Sequence, residues 1–191
     1  LGRCSHLSAK VVFDTAKAHD IDIRDPKWNC EDALKAVEAQ EAANQAEILS
    51  HKVAITQVIT EYFEQESADA APSPGVENEL LKQIQADLEP DAVVAGETPA
   101  QFLERLMESH LSCIVLMVDL EDPVLLSSGH TISQAAFDSL ETVRSNGYYE
   151  YEVGYKECPF TRQRLAEHAP KNTVIRDICT KVNELLGIGV T

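Results

Sequence analysis

Cys158-Pro159-Phe160-Thr161-Arg162-Gln163 is the stretch on which the fold turns. It lies downstream of Asp122-Pro123-Val124 and of Ser128-Gly129-His130-Thr131. Together the three describe two loops flanking one short helix. That build presents a loop–helix–loop surface to another protein. The chemistry then belongs to the partner rather than to this chain.

Outward from that stretch, Asn172 caps a last helix with Val174, Ile175, Ile178, Val182 and Leu185 inward. Upstream of it, Tyr148 to Tyr155 alternates and predicts a strand or an ordered loop. Thr131 or Ser133 caps a helix carrying Ala136, Phe137, Leu140 and Val143, stopped by Asn146-Gly147. Cys113 to Leu126 is rich in Val, Ile and Leu. It predicts a loop and a strand leading to a turn at Ser127-Ser128-Gly129.

Before residue 109 the pattern is helical. Residues 5–19 predict a first helix, with Leu7, Val11, Val12 and Ala16 near one face, and Asp25-Pro26 breaks the loop after it. Asn29 caps a long helix to about residue 65, with Leu34, Val37, Leu49, Val53, Val58, Ile59 and Phe63 along it. Roughly 35 residues at about 1.5 Å each give some 50 Å. Such a length predicts bending, a helical hairpin partner or a coiled coil with another chain. Small residues and two prolines between Ser67 and Gly75 mark a linker. A helix over 77–88 follows, and Thr98-Pro99-Ala100-Gln101 opens another with a capping box and Phe102, Leu103, Leu106 and Met107 buried. The expectation is an α+β chain: a helical region over 1–108 and a compact domain over 109–188.

Composition bounds the function. The 191 residues are 44% hydrophobic and 25% charged, with a net charge of −16. Residues 1–110 hold 9 basic and 21 acidic side chains, and the rest hold 7 and 11. Such acidity excludes nucleic acid and anionic lipid as main partners. No apolar run approaches the roughly 20 residues that span a bilayer. Five dispersed cysteines without a C-x-x-C pair suit reduced thiols and a cytoplasmic setting.

Three chemistries compete. Zinc needs four N/S ligands in tight pairs, and Cys113, His130 and Cys158 do not supply them. Ser128 stands where a first pair would need Cys, and Arg162 and Arg164 follow Cys158 where a second pair would need another. A cysteine nucleophile lacks any recognisable His or Asn partner motif. Neither H-E-x-x-H nor a Gly-rich phosphate loop occurs. The third is protein docking. Val115 and Met117 follow Cys113, Pro159 and Arg162 follow Cys158, and apolar side chains with an Arg fork make an interface hot spot. Buried Val115 and Met117 with a solvated Arg162 is the plainer alternative.

The order of these motifs resembles the U-box domains of ubiquitin ligases, zinc-free relatives of RING domains. The resemblance covers about residues 109–186. Cys113 with Asp122-Pro123-Val124 nine residues on, Gly129-His130-Thr131, Cys158-Pro159-Phe160-Thr161-Arg162-Gln163 and Asn172-Thr173-Val174-Ile175-Arg176-Asp177-Ile178 fall in the family's order. It implies two loops, a small β-hairpin sheet, a central helix and a C-terminal helix. It implies docking of a ubiquitin-charged conjugating enzyme and transfer of ubiquitin to a substrate lysine. Val115, Met117 and Pro159 take the places of contacts to the conjugating enzyme. Arg162 matches the arginine that bridges that enzyme and ubiquitin. Asn172, with Asp122 and His130, takes the structural role that zinc has in a RING. Neither metal nor cofactor is implied.

The chain departs from the family at Ile114, Ile132 and a long, tyrosine-rich segment over 146–157. Alternatives are a non-catalytic adaptor and the SP-RING type of SUMO ligase, whose zinc ligands are missing here. Residues 1–108 resemble no named family, and their expected roles are substrate recruitment or homodimerisation. From a bacterial source, such a ligase would be an effector acting in host cytoplasm.

Overall fold

The computed structural model describes residues 30–69, 78–89, 92, 94, 96–143 and 154–188. Three helices come first: α1 (Cys30–Asp69), α2 (Glu79–Leu88) and α3 (Pro99–His110). Short strands β1 (Ser112–Cys113), β2 (Val118–Asp119), β3 (Pro123–Leu125) and β4 (Thr131–Ser133) follow. Helix α4 (Gln134–Ser139), strands β5 (Thr142–Val143) and β6 (Tyr155–Lys156), and helix α5 (Thr173–Leu185) complete them. The strands pair as three antiparallel ribbons, β1–β2, β3–β4 and β5–β6. The chain is therefore mixed helix and small antiparallel sheet behind a helical N-terminal region, as expected for α+β.

α3 forms as its sequence dictates. Gln101 N donates to Thr98 Oγ1 at 3.3 Å, and Thr98 N donates to Gln101 Oε1 at 2.9 Å. Two of the donors that a helix start leaves open are thereby satisfied, with Pro99 in the first turn. Phe102, Leu103 and Leu106 lie on the buried face, and Met107 packs against it. Arg105 holds Glu97 at 2.9 Å and Asp87 at 3.0 Å, clamping α3 to α2 and to its own lead-in.

α1 has 40 residues and ends about four past the expected end, so Ser67–Asp69 are helical rather than linker. It packs on α5, α3 and α2. Its buried positions are Ile48, Lys52, Ile55 and Ile59, spaced four, three and four as one helical stripe. Leu49, Val53 and Phe63 on the same helix stay exposed. Lys52 is 2% exposed because its Nζ donates to the carbonyls of Glu89 at 2.7 Å and Ala92 at 2.9 Å. A buried ammonium thus closes the open end of α2, where helix carbonyls lack partners.

The core runs from Ile48 and Ile55 through Phe102 and Leu106 to Val124, Ile132 and Ile178. Residues before and after 109 share it. α4 is shorter than its pattern predicts. Leu140 ends it with an extended backbone, and Val143 pairs with Tyr155 in β5–β6 instead. The helix over 5–19, the break at Asp25-Pro26, the Asn29 cap, residues 70–77, Asn146-Gly147 and residues 148–153 lie outside the described residues. Among the described residues no helix is long and apolar enough to cross a membrane.

Candidate functional site: two matched loops on one hairpin

The β3–β4 hairpin is the scaffold. Pro123 pairs with Ser133, Val124 with Ile132 and Leu125 with Thr131. Gly129 closes its turn at φ 86, a backbone angle that glycine adopts without steric cost. Asp122 is exposed at φ 42, and its carbonyl accepts Gln134 N at 3.0 Å where α4 begins.

One loop hangs from each end of this hairpin. In the first, β1 and β2 enclose residues 114–117, and Met117 N donates to Cys113 O at 2.7 Å. In the second, Arg162 N donates to Cys158 O at 2.9 Å, and Cys158 N to Gln163 O at 2.8 Å. Each loop closes four residues after a buried cysteine. Each puts a non-glycine residue at the closure in the left-handed region, Met117 at φ 57 and Arg162 at φ 61. That conformation costs an L-residue about 1–2 kcal/mol.

The two sulfurs anchor the loops. Ser133 N donates to Cys113 Sγ at 3.5 Å, at the α4 end of β4. Ser128 Oγ donates to Cys158 Sγ at 3.2 Å, at the hairpin turn. Burial pushes the Cys113 thiol up, but backbone N–H groups of Ser133, Leu116 and Val115 and the Ser133 hydroxyl outweigh it and hold the pKa below its ordinary value. Cys158 follows the same logic: burial raises it, while Ser128, Thr161 and Phe160 bring it below the ordinary value. Each thiol is thus an acceptor for its own loop's backbone.

His130 completes the second anchor. Its Nδ1 lies 3.3 Å from Ser128 Oγ and 4.0 Å from Cys158 Sγ, and its ring stacks on Phe160 at 4.6 Å between centroids. No histidine partner for Cys158 is recognisable along the sequence, and the fold brings one within reach across 28 residues. Cys158 is nonetheless fully buried, so no substrate atom reaches its sulfur. Among the described residues no group of three or more His, Cys, Asp or Glu is placed to hold a metal ion.

Asn172 ties the site to the last helix. Its Oδ1 accepts Ile175 N at 3.4 Å, and its Nδ2 donates to Thr131 Oγ1 at 2.8 Å. Its backbone N donates to Pro123 O at 2.7 Å. Helix α4 lies between the loops in the bonding pattern. It starts at Ser133, which touches Cys113, and its Phe137 and Asp138 carbonyls accept Lys156 Nζ, two residues before Cys158.

The outward faces differ in chemistry. Met117 is 80% exposed, and Ile114, Leu116 and Val118 beside it are exposed as well. Val115 is the exception: it is half-buried and packs against the core. Pro159, Phe160 and Arg162 are exposed on the second loop. The Arg162 guanidinium makes no hydrogen bond or ion pair with any described residue. No hydrogen bond joins Val115, Met117, Pro159 and Arg162 to one another among the described residues. Ile114, Leu116, Val118 and Phe160 extend the apolar face beyond the residues singled out from sequence. The signal for the first three was the unbroken five-residue apolar run Ile114–Val118, longer than a buried two-residue strand needs. No protein-family model, curated protein or solved structure matches the chain.

Proposed function

We propose that the chain is a ubiquitin-protein ligase of the U-box type, acting in the cytoplasm. Its loops dock a ubiquitin-charged conjugating enzyme and promote transfer of ubiquitin to a substrate lysine. The observation that carries this is the pair of matched loops. One offers exposed Ile114, Leu116 and Met117, and the other offers exposed Pro159 and an uncommitted Arg162.

The division of labour follows from chemistry. An apolar patch gives affinity through burial, at about 25 cal/mol per Å² removed from water. A guanidinium presents several planar donors to carbonyl oxygens on two partners at once. Holding the ubiquitin tail against its carrier favours a reactive geometry and accelerates attack by the lysine amine. The thioester bond breaks on the conjugating enzyme and the isopeptide bond forms on the substrate, so no covalent intermediate on this chain is needed. Cys113 and Cys158 stay in the fold as hydrogen-bond acceptors.

A self-ubiquitination assay with a panel of conjugating enzymes tests the proposal. The parent is expected to form conjugates with at least one of them. Met117→Glu should abolish the reaction by blocking docking, and Arg162→Ala should abolish it with docking largely kept. Docking without any transfer in the parent would make the chain an adaptor instead. Stoichiometric zinc in the purified protein would point to a SUMO ligase of the SP-RING type.

A further inference from the structure

α1 carries two stripes one residue out of phase. Ile48, Lys52, Ile55 and Ile59 face the body. Beside them Leu49, Val53, Thr56, Thr60 and Phe63 face solvent, and Leu49, Val53 and Phe63 keep 49, 60 and 48% of their surface exposed. The exposed stripe is spaced four, three, four, three, the a/d repeat of a coiled coil. It lines an open groove of about 1140 Å³ whose far wall is Gln85, Leu88 and Glu89 of α2. The repeat continues upstream through Ala46, Ala42 and Ala39, all exposed, along a stretch where no residue from 35 to 47 is fully buried.

We propose that this stripe pairs with α1 of a second copy, the two helices running antiparallel. The stripe complements itself in that direction and in no parallel one. With the two-fold axis near residue 51, Ala39 faces the partner's Phe63 and Leu49 faces the partner's Val53. Ala42 and Ala46 face the partner's Thr60 and Thr56. Each contact joins an a position to a d position, and the smallest residues meet the largest. Parallel pairing sets Phe63 on Phe63 and Ala39 on Ala39, crowding one end and leaving voids at the other.

Charge points the same way. The chain's net charge of −16 makes like-charge contact the main hazard of self-association. In the antiparallel register the flanking Glu64 meets the partner's Ala43, and Ser50 meets the partner's Gln57. No two carboxylates oppose across this flank. The stretch of α1 over residues 36–47, in which no residue is fully buried, gains a neighbour in the same step. This proposal stands apart from the ubiquitin-ligase one.

Light scattering on the full chain tests it. The parent is expected at the mass of two chains across a concentration series. Leu49→Lys and Val53→Glu, both at exposed positions, should each give the mass of one chain that still unfolds cooperatively and keeps a helical circular dichroism spectrum, at a melting temperature lowered by the lost association. An equal mixture of the two variants should recover the two-chain mass. The introduced ammonium and carboxylate then face each other, while the opposite contact keeps the native Leu49–Val53 pair. A parent of one-chain mass overturns the proposal, whichever segment covers the stripe, residues 5–19 included. So do variants that stay dimeric. A dimeric parent whose variants do not recombine overturns the antiparallel register.

Discussion

Asn78 Nδ2 donates to Asn172 Oδ1 at 3.2 Å, so the caps of two helices 94 residues apart are bonded to each other. Each also caps its own helix, Asn78 through Leu81 N and Asn172 through Ile175 N. Nearby, Glu79 N donates to Gly129 O at 3.3 Å. The helical region and the β3–β4 hairpin therefore meet at a polar knot, beside a core that is otherwise apolar.

Asn172→Ala should be among the most damaging polar substitutions. It removes a cap worth about 0.5–2 kcal/mol and leaves buried partners without a bond, at about 1–3 kcal/mol. Asn172 is 4% exposed, so water cannot fully compensate. A loss of about 2–4 kcal/mol is expected in urea denaturation. Asn78→Ala, in a less buried place, should cost about 1 kcal/mol. Equal losses in the two would contradict the asymmetry.

Val115→Glu and Met117→Glu should separate stability from docking. Met117 is 80% exposed, and its substitution should leave the melting curve within about 0.5 kcal/mol of the parent. Val115 packs against the core, and a carboxylate there should cost about 1–3 kcal/mol. Both should stop conjugating-enzyme binding, measured by titration calorimetry. Only the Met117 variant tests the surface without disturbing the fold.

Arg162→Gly makes an unusual prediction. Arg162 sits at φ 61, where glycine avoids the steric cost of a side chain. The variant should be as stable as the parent or more so by up to about 1 kcal/mol, while losing ubiquitin transfer. A destabilised Arg162→Gly would mean that the side chain holds the loop.

Cys179 should impose an alkaline limit on stability. Burial, with a smaller contribution from the Asp119 carboxylate, pushes its thiol up to about 12 from the ordinary 9.0. The folded state therefore keeps a proton that the unfolded state loses. Its contribution is complete below about pH 9 and falls as pH rises toward 12, by an amount on the order of 2–3 kcal/mol at pH 11. Comparing the parent with Cys179→Ala at pH 8 and pH 11 isolates this, and the variant should lose less. Equal losses would reject the assignment.

Local chemistry wrote some elements plainly and left others open. The capping box at Thr98 and the Asn172 cap were legible because the side chains that start those helices lie within three residues of their partners. The phase of α1 was not. Its two apolar stripes differ by one residue, and only α2, α3 and α5 decide which is covered. The sequence grouped Ile59 with Leu49 and Phe63, and the fold separates them. α4 ends early because Val143 finds Tyr155 across a segment no helical period can anticipate. Of the site residues, Met117, Pro159 and Arg162 are exposed and Val115 is half-buried.

The tether at Lys52 has a consequence for where ubiquitin could be attached in a self-modification reaction. An amine that spans two carbonyl oxygens and is 2% exposed is no acceptor for an incoming thioester carbonyl. Lys156 is held in the same way by Phe137 and Asp138 and lies over the Phe137 ring. Peptide mapping of self-modified protein should find both unmarked and exposed lysines such as Lys82 and Lys171 carrying the label. Two amines committed to holding the fold together would thus also bias where its own modification falls.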